Sequence, residues 1–219
     1  MSSLATLLLH KPALDTPDAY GELAIAKAAS VGSRGGISLI LLAGGDINAQ
    51  NDKGCTAIHF AGKNTTAFLL QNGANPTIPD DKGDTAVHMW AMQGGRRQEV
   101  KIAHDKGFSI DIPNAKGETP LMLALKEQRE DTARALIECG ADVTAANKAG
   151  MNVLEHAYKY CPSIKGDIEL TMAKAKDTRI SELEGKVAEL QQALSDAASV
   201  GSGAAFMQAG RKKSRAPKH

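Results

Sequence analysis

The residues able to do chemistry in this 219-residue chain are few and scattered. Cys55, Cys139 and Cys161 could supply a nucleophilic or metal-binding thiolate, and six histidines could act as bases or ligands. No C-x-x-C pair, H-E-x-x-H run, nucleophile elbow or dinucleotide-binding glycine fingerprint organises them. An odd number of widely spaced cysteines reads as reduced thiols, outside a disulfide framework or a zinc site. Gly94-Gly95-Arg96-Arg97 has glycines that could cradle a phosphate. It lacks a preceding strand and a Gly-Lys-Ser/Thr ending, so it reads as a turn between helices with one inserted residue. These patterns argue against an enzyme, and they offer no cofactor site, no metal site and no small-molecule substrate.

The elements that must position these residues are marked by glycine. Gly21, Gly54, Gly83, Gly117 and Gly150 share one local setting at separations of 33, 29, 34 and 33 residues. A second series, Gly44, Gly73, Gly107 and Gly140, precedes the next member of the first by ten positions each time. A period near 33 is that of one supersecondary unit, which cannot bury its apolar face alone. After the first series come Thr56-Ala57-Ile58-His59, Thr85-Ala86-Val87-His88 and Thr119-Pro120-Leu121-Met122. Around the second stand Gly44-Gly45-Asp46-Ile47-Asn48, Gly73-Ala74-Asn75-Pro76 and Gly140-Ala141-Asp142-Val143-Thr144.

These motifs resemble the signatures of ankyrin repeats, and the resemblance covers roughly residues 2 to 175. It implies an all-α solenoid of stacked helix-turn-helix units with β-turn fingers. The domain would run over 1–176, with an N-terminal cap helix, four repeats and a degenerate C-terminal repeat. The chemistry of the signature agrees. Thr before a helical run can accept from orphan N–H groups, Pro120 suits a first helical position, and glycine ends a helix in the left-handed region. The resemblance gives His59 and His88 a structural role, bonding neighbouring backbone and the Thr hydroxyl. Ile25, Ile58, Val87, Leu121 and Leu154 form one core column, and Ala28, Ala61, Trp90, Ala124 and Ala157 form the small column beside it. Leu4, Leu7 and Leu8 fall in the second-helix columns, so residues 2–10 are expected to be a lone second helix that caps the stack.

Two departures are expected to shape the stack. The unit between Gly54 and Gly83 is about four residues short, and the loss lies between Ala61 and Ala67. Trp90 stands in the next unit where the column is otherwise Ala, and its expected role is to fill the space; the rival role is an exposed anchor for a partner. After Gly150 the pattern fades, and Ile164, Ile168 and Met172 are expected to bury one face of a final helix.

Beyond the stack, Ile180, Leu183, Val187, Leu190, Leu194 and Ala197 step by 3 and 4 in alternation, the seam of a coiled coil. Residues 177–198 are therefore expected to form an amphipathic or coiled-coil helix, whose oligomerisation seam is Ile180, Leu183, Val187, Leu190 and Leu194. β-Branched residues at a with Leu at d favour a parallel homodimer through residues 180–197, and Arg179 and Glu184 fall at g and the following e. A single helix lying on the repeats or on a partner is the alternative. Residues 199–210 are rich in Gly, Ala and Ser and read as a linker, so 199–219 is expected to be a flexible, disordered basic tail. Arg211, Lys212, Lys213, Arg215 and Lys218 could meet nucleic acid or an anionic membrane, or simply solubilise the end.

Lys and Arg total 26 against 25 Asp and Glu, a net charge of +1 that favours no polyanionic partner for the chain as a whole. No run of 18 apolar residues could span a membrane, so a cytoplasmic protein is expected. The resemblance implies a non-enzymatic scaffold or adaptor that binds another protein on the concave face. The contact positions it carries over are Gln50, Asp52, Lys53 and Cys55 on one finger, Asp81, Lys82 and Asp84 on the next, and Lys116 and Glu118 on the third. Lys63, Met92 and Lys126 follow on the first helices, and Cys55 would be an exposed thiol on a finger flank. The alternatives are an assembly component joined through its C-terminal helix, or a bacterial or viral effector working in the host cytosol or nucleus.

Overall fold

The computed structural model describes residues 14–211, with side chains through Ser195. Helices follow in pairs: α1 (Ala24–Ser30) with α2 (Arg34–Leu42), α3 (Ala57–Phe60) with α4 (Lys63–Gln71), α5 (Ala86–Gln93) with α6 (Arg97–Asp105), and α7 (Pro120–Lys126) with α8 (Glu130–Glu138). Then come α9 (Val153–Tyr160), a 3-10 turn over Pro162–Ile164, and α10 (Lys165–Arg211). Compact contacts divide the chain after Thr171. The expected cap over residues 2–10 lies outside the described residues.

The fingers are built by a residue type repeated three positions before each first-series glycine: Asp18, Asn51, Asp80, Asn114 and Asn147. In every finger its Oδ1 accepts from the amides two and four residues on, at 2.8–3.0 Å. A short side chain that bonds its own downstream backbone folds the turn locally. The following glycine needs positive φ, +78° at Gly83, where an added Cβ would sit 2.7 Å from the Ala115 nitrogen of the next finger.

Fingers then join one another. Asp81 N donates to Lys53 O at 3.1 Å, Ala115 N to Lys82 O at 3.0 Å, and Lys148 N to Lys116 O at 3.0 Å. A second set of ties comes from the signature histidines. His59 Nδ1 accepts from Thr56 N at 3.0 Å, which leaves the proton on Nε2 to be donated to Asp84 O at 3.2 Å. His88 repeats the arrangement between Thr85 N and Glu118 O. Burial holds both imidazoles below the ordinary histidine pKa and so keeps them neutral. Met122 replaces the histidine in the next unit and is fully buried, so that junction is tied by packing instead.

The core columns form as the periodicity requires: Ile25, Ile58, Val87 and Leu121 are fully buried. In the degenerate unit Val153 is buried, while Leu154 of the expected column is only half-buried. Ile164 and Ile168 are fully buried and Met172 half-buried.

The deletion falls mainly in the first helix of its unit, and the connection to the second helix is two residues, Ala61 and Gly62, where the other pairs have three. α3 has 4 residues where α5 has 8, whereas α4 keeps the 9 of its equivalents. Trp90 is 1% exposed, which agrees with its expected role as filler, although its indole N–H meets no acceptor. Arg96 does the rest. This residue of the inter-helix turn is buried, and its Nη2 donates to Ala61 O at the clipped end of α3 at 3.1 Å. Its Nη1 reaches Thr66 Oγ1 at 3.4 Å and pairs with buried Glu99 at 3.2 Å, while Nη2 also contacts Gln93. A guanidinium from one unit thus satisfies the helix end that its neighbour lost.

The C-terminal segment differs from expectation in two ways. A single helix, α10, runs through what was expected to be a final repeat helix, a separate coiled-coil helix and a linker. Helical backbone continues over 199–210 through Gly201, Gly203 and Gly210, each costing about 1 kcal/mol relative to Ala. The basic residues beyond Arg211 lie outside the described residues.

The Arg96–Glu99 pair sits where an unpaired charge cannot be hydrated. Arg96→Ala should destabilise the chain by about 3–5 kcal/mol, because it strands the Glu99 carboxylate. The double change R96M/E99L should recover most of that loss in urea melts. Equal destabilisation by both would show that charge pairing is not what matters at this position.

Candidate functional site

Six of the expected contact residues converge. Lys82, Asp84, Met92, Lys116, Glu118 and Lys126 line one cleft of about 320 Å³, together with Asn114, Ala115, Leu123 and Glu127. Two neighbouring fingers supply the first group, and α5 and α7 supply Met92, Leu123 and Lys126. The finger residues are adjacent because Ala115 N bonds Lys82 O, so backbone geometry sets the spacing of the two lysine stems. Leu123 is 5% exposed and Met92 half-buried, which gives the cleft an apolar lining below its charged rim.

Part of that charge is already engaged within the chain. Glu118 is buried and accepts from Lys126 at 3.1 Å. Asp84 accepts from Asn114 Nδ2 at 2.8 Å. Lys82 and Lys116 are exposed and enter no ion pair among the described residues.

The other expected residues are not gathered here. Asp52, Lys53 and Asp81 are exposed on the fingers. Gln50 is exposed but engaged within the chain, with Nε2 donating to Gly54 O at 2.7 Å and Pro79 O at 3.1 Å, which ties two fingers together. Lys63 is not on a first helix. Because α3 stops at Phe60, Lys63 opens the second helix, α4, and lines a separate cavity with Arg34, Asn64 and Arg97. Cys55 is also corrected: it is 5% exposed, with Sγ 3.9 Å from Asp80 Oδ2 of the next finger. Burial first, and the carboxylates of Asp80 and Asp81 second, push its thiol pKa up to about 11.

Sequence reasoning passed over the Asp/Asn series that folds the fingers, although its constant distance from glycine was readable. It also passed over Arg96, whose partner Ala61 lies 35 residues away and becomes a neighbour only when units stack, and Glu99, three residues from Arg96 in the same unit. Among the described residues no group of three or more His, Cys, Asp or Glu is placed to hold a metal ion. No helix among them is long and apolar enough to cross a membrane.

Comparison with known proteins places this geometry. Residues 62–147 match the family model for ankyrin repeats, in three copies. Mouse palmitoyltransferase ZDHHC13 is 33% identical over 85 residues, covering 39% of this chain and 14% of that protein. Phosphocholine transferase AnkX of Legionella pneumophila is 30% identical over 142 residues, 61% of this chain and 15% of that protein. Neurogenic locus notch homolog protein 1 of Xenopus tropicalis is 29% identical over 119 residues, 52% of this chain and 5% of that protein. The chain spans less than a fifth of the length of each of these relatives.

A thiol this buried and this basic is a poor nucleophile. At pH 8, iodoacetamide should modify Cys55 in the folded protein roughly 100-fold more slowly than in the urea-unfolded chain. Mass spectrometry of the labelled peptide follows the rate, and labelling at comparable rates in both states would show that the finger flank is open.

Proposed function

We infer that this ankyrin-repeat protein is a binding scaffold without chemistry of its own, and that it takes a partner polypeptide in the cleft between its Gly83 and Gly117 fingers. The observation that carries the reading is the convergence of Lys82, Lys116, Met92 and Leu123 on one cavity. Its apolar floor can bury a side chain, and its rim offers charge that the chain itself does not neutralise. A stack of rigid units held by backbone bonds presents such a surface with little reorganisation on binding. The relatives' transferase names do not bear on this chain, because the similarity covers only a small part of each.

Cross-linking capture tests the reading. Lys82→Glu with Lys116→Glu should abolish retention of the partner that the unaltered chain captures. Unchanged retention would place binding elsewhere.

A specific observation also favours a second reading, in which copies associate through α10. Ile180, Leu183, Val187, Leu190 and Leu194 are 46–71% exposed, a continuous apolar seam. The helix carrying them is nucleated by the buried Ile164 and Ile168, so the seam does not depend on a short isolated helix forming by itself. Gly185 falls at the outer f position, away from the seam. Sedimentation of the full chain should give the mass of a dimer, and Leu183→Glu with Leu190→Glu should return it to monomer. A monomeric parent chain would sink this reading.

A further inference from the structure

We propose that the cavity where α2, α4 and α6 begin receives a phosphorylated serine or threonine side chain of a partner polypeptide, with Arg34, Lys63 and Arg97 around the phosphate. The cavity measures about 460 Å³ and shares no lining residue with the cleft between the Gly83 and Gly117 fingers, so the inference stands apart from the reading above.

The charge of this cavity is lopsided. Three cations line it against one carboxylate, Glu99. Glu99 is buried and already pairs with the buried Arg96 at 3.2 Å. Arg97 contacts Glu138, but both side chains are 56% exposed, and an exposed pair of this kind is weak enough to yield to a stronger anion. Arg34 donates from Nε and Nη2 to Asn64 O at 3.1 and 2.7 Å, which holds the guanidinium in place without neutralising it. Neither Arg34 nor Lys63 enters an ion pair among the described residues, and no other lining carboxylate is there to meet them.

These cations also stand where stability would not put them. Arg34, Lys63 and Arg97 are the first residues of their helices, and the partial positive charge of a helix start disfavours a cation there. The first turns of α2 and α4 hold no acid at all. In the same stack α8 shows the choice that stability favours, since Glu130 and Asp131 open it. Gly95 keeps the space beside Lys63 open: a Cβ there would lie 2.9 Å from the ammonium nitrogen. The Gly94-Gly95-Arg96-Arg97 turn thus serves an anion without being a nucleotide-binding loop.

A phosphate monoester fits this set better than a carboxylate, because it brings nearly two negative charges and three acceptor oxygens to two guanidinium groups and an ammonium. Ala67 and Ile102 are half-buried in the same cavity and offer an apolar patch to the chain that carries the phosphate. A free phosphate ion would leave that patch bare. Glu130 and Asp131 bound the cationic run at the next unit, so the surface takes one compact anion rather than the repeating charge of a nucleic acid or a bilayer. Among the described residues no aromatic side chain lines the cavity for bases to stack on.

Peptides selected on the full chain from a dodecapeptide library with a fixed central phosphoserine test this, once remade with serine and with glutamate at that place. Affinity should fall at least tenfold for both remade copies. It should fall as far with R34Q/K63Q and with Lys63→Glu, yet hold in K82E/K116E. Lys63→Glu puts an acid at a helix start, so its melting temperature should equal or exceed that of the unaltered chain, which separates lost binding from lost fold. Peptides that bind equally well with serine or glutamate, or that ignore both changes at Lys63, would overturn the proposal. So would an absence of binders, or a loss confined to K82E/K116E, which would put the phosphate in the finger cleft. Inorganic phosphate that binds as tightly as the peptides would overturn it too, as would a single-stranded oligonucleotide or phosphatidylserine vesicles that displace them through Arg34 and Lys63.

Discussion

Each of the three junctions along the fingers of Gly54, Gly83, Gly117 and Gly150 carries the same backbone hydrogen bond. An amide on one finger donates to the carbonyl of the residue just before the previous finger's glycine, at 3.0–3.1 Å. The bond is possible because the Asp or Asn side chain has already folded the turn, and because glycine at the tip leaves room for the neighbouring strand of backbone. Most of what distinguishes this surface follows from it. The residue whose carbonyl accepts is lysine at each of these junctions, so the bonds that stack the units also space Lys53, Lys82 and Lys116 along the face. The side chains that could meet a partner are placed by backbone geometry rather than by one another.

The clipped unit shows how such a stack tolerates a deletion. Removing a turn from α3 exposes a helix end and opens a space beside it, and two residues of the next unit answer these two consequences separately. Trp90 is buried in the next unit, and Arg96 adds a second donor to Ala61 O beside the Thr66 hydroxyl. Burying a guanidinium needs a counter-charge, which explains Glu99 as a buried acid at the start of a helix. The solution uses residues that a surface reading would assign to a loop.

Much of this was legible in the chain itself. The doubled glycine register located every unit, and the apolar columns located the core, because both depend on short-range spacing. Lys63 was misplaced because a four-residue deletion can be absorbed by either helix of a pair, and only the stacked neighbours decide which. Cys55 was expected to be exposed because its burial depends on Asp80 of the adjoining finger, 25 residues away. Residues 199–210 read as a linker from their Gly and Ser content, but the helix that begins at Lys165 continues through them. The cleft is an intermediate case. Its residues could be named one by one, whereas the internal pairing of Lys126 with Glu118, which leaves Lys82, Lys116, Asp84 and Glu127 outside ion pairs among the described residues, required the fold.

Repeat stacks usually behave as chains of semi-independent units whose cooperativity comes from nearest-neighbour coupling. Arg96 changes the strength of one link in that chain. Its backbone belongs to the unit of α5 and α6, but its guanidinium bonds Thr66 Oγ1 and Ala61 O in the unit of α3 and α4, so the two units share one buried charged side chain. Residues from Gly54 to Asp105 are therefore expected to open as one folding quantum rather than two. Fraying that enters from the N-terminal side would stop at this double unit, or would pass through it in a single step.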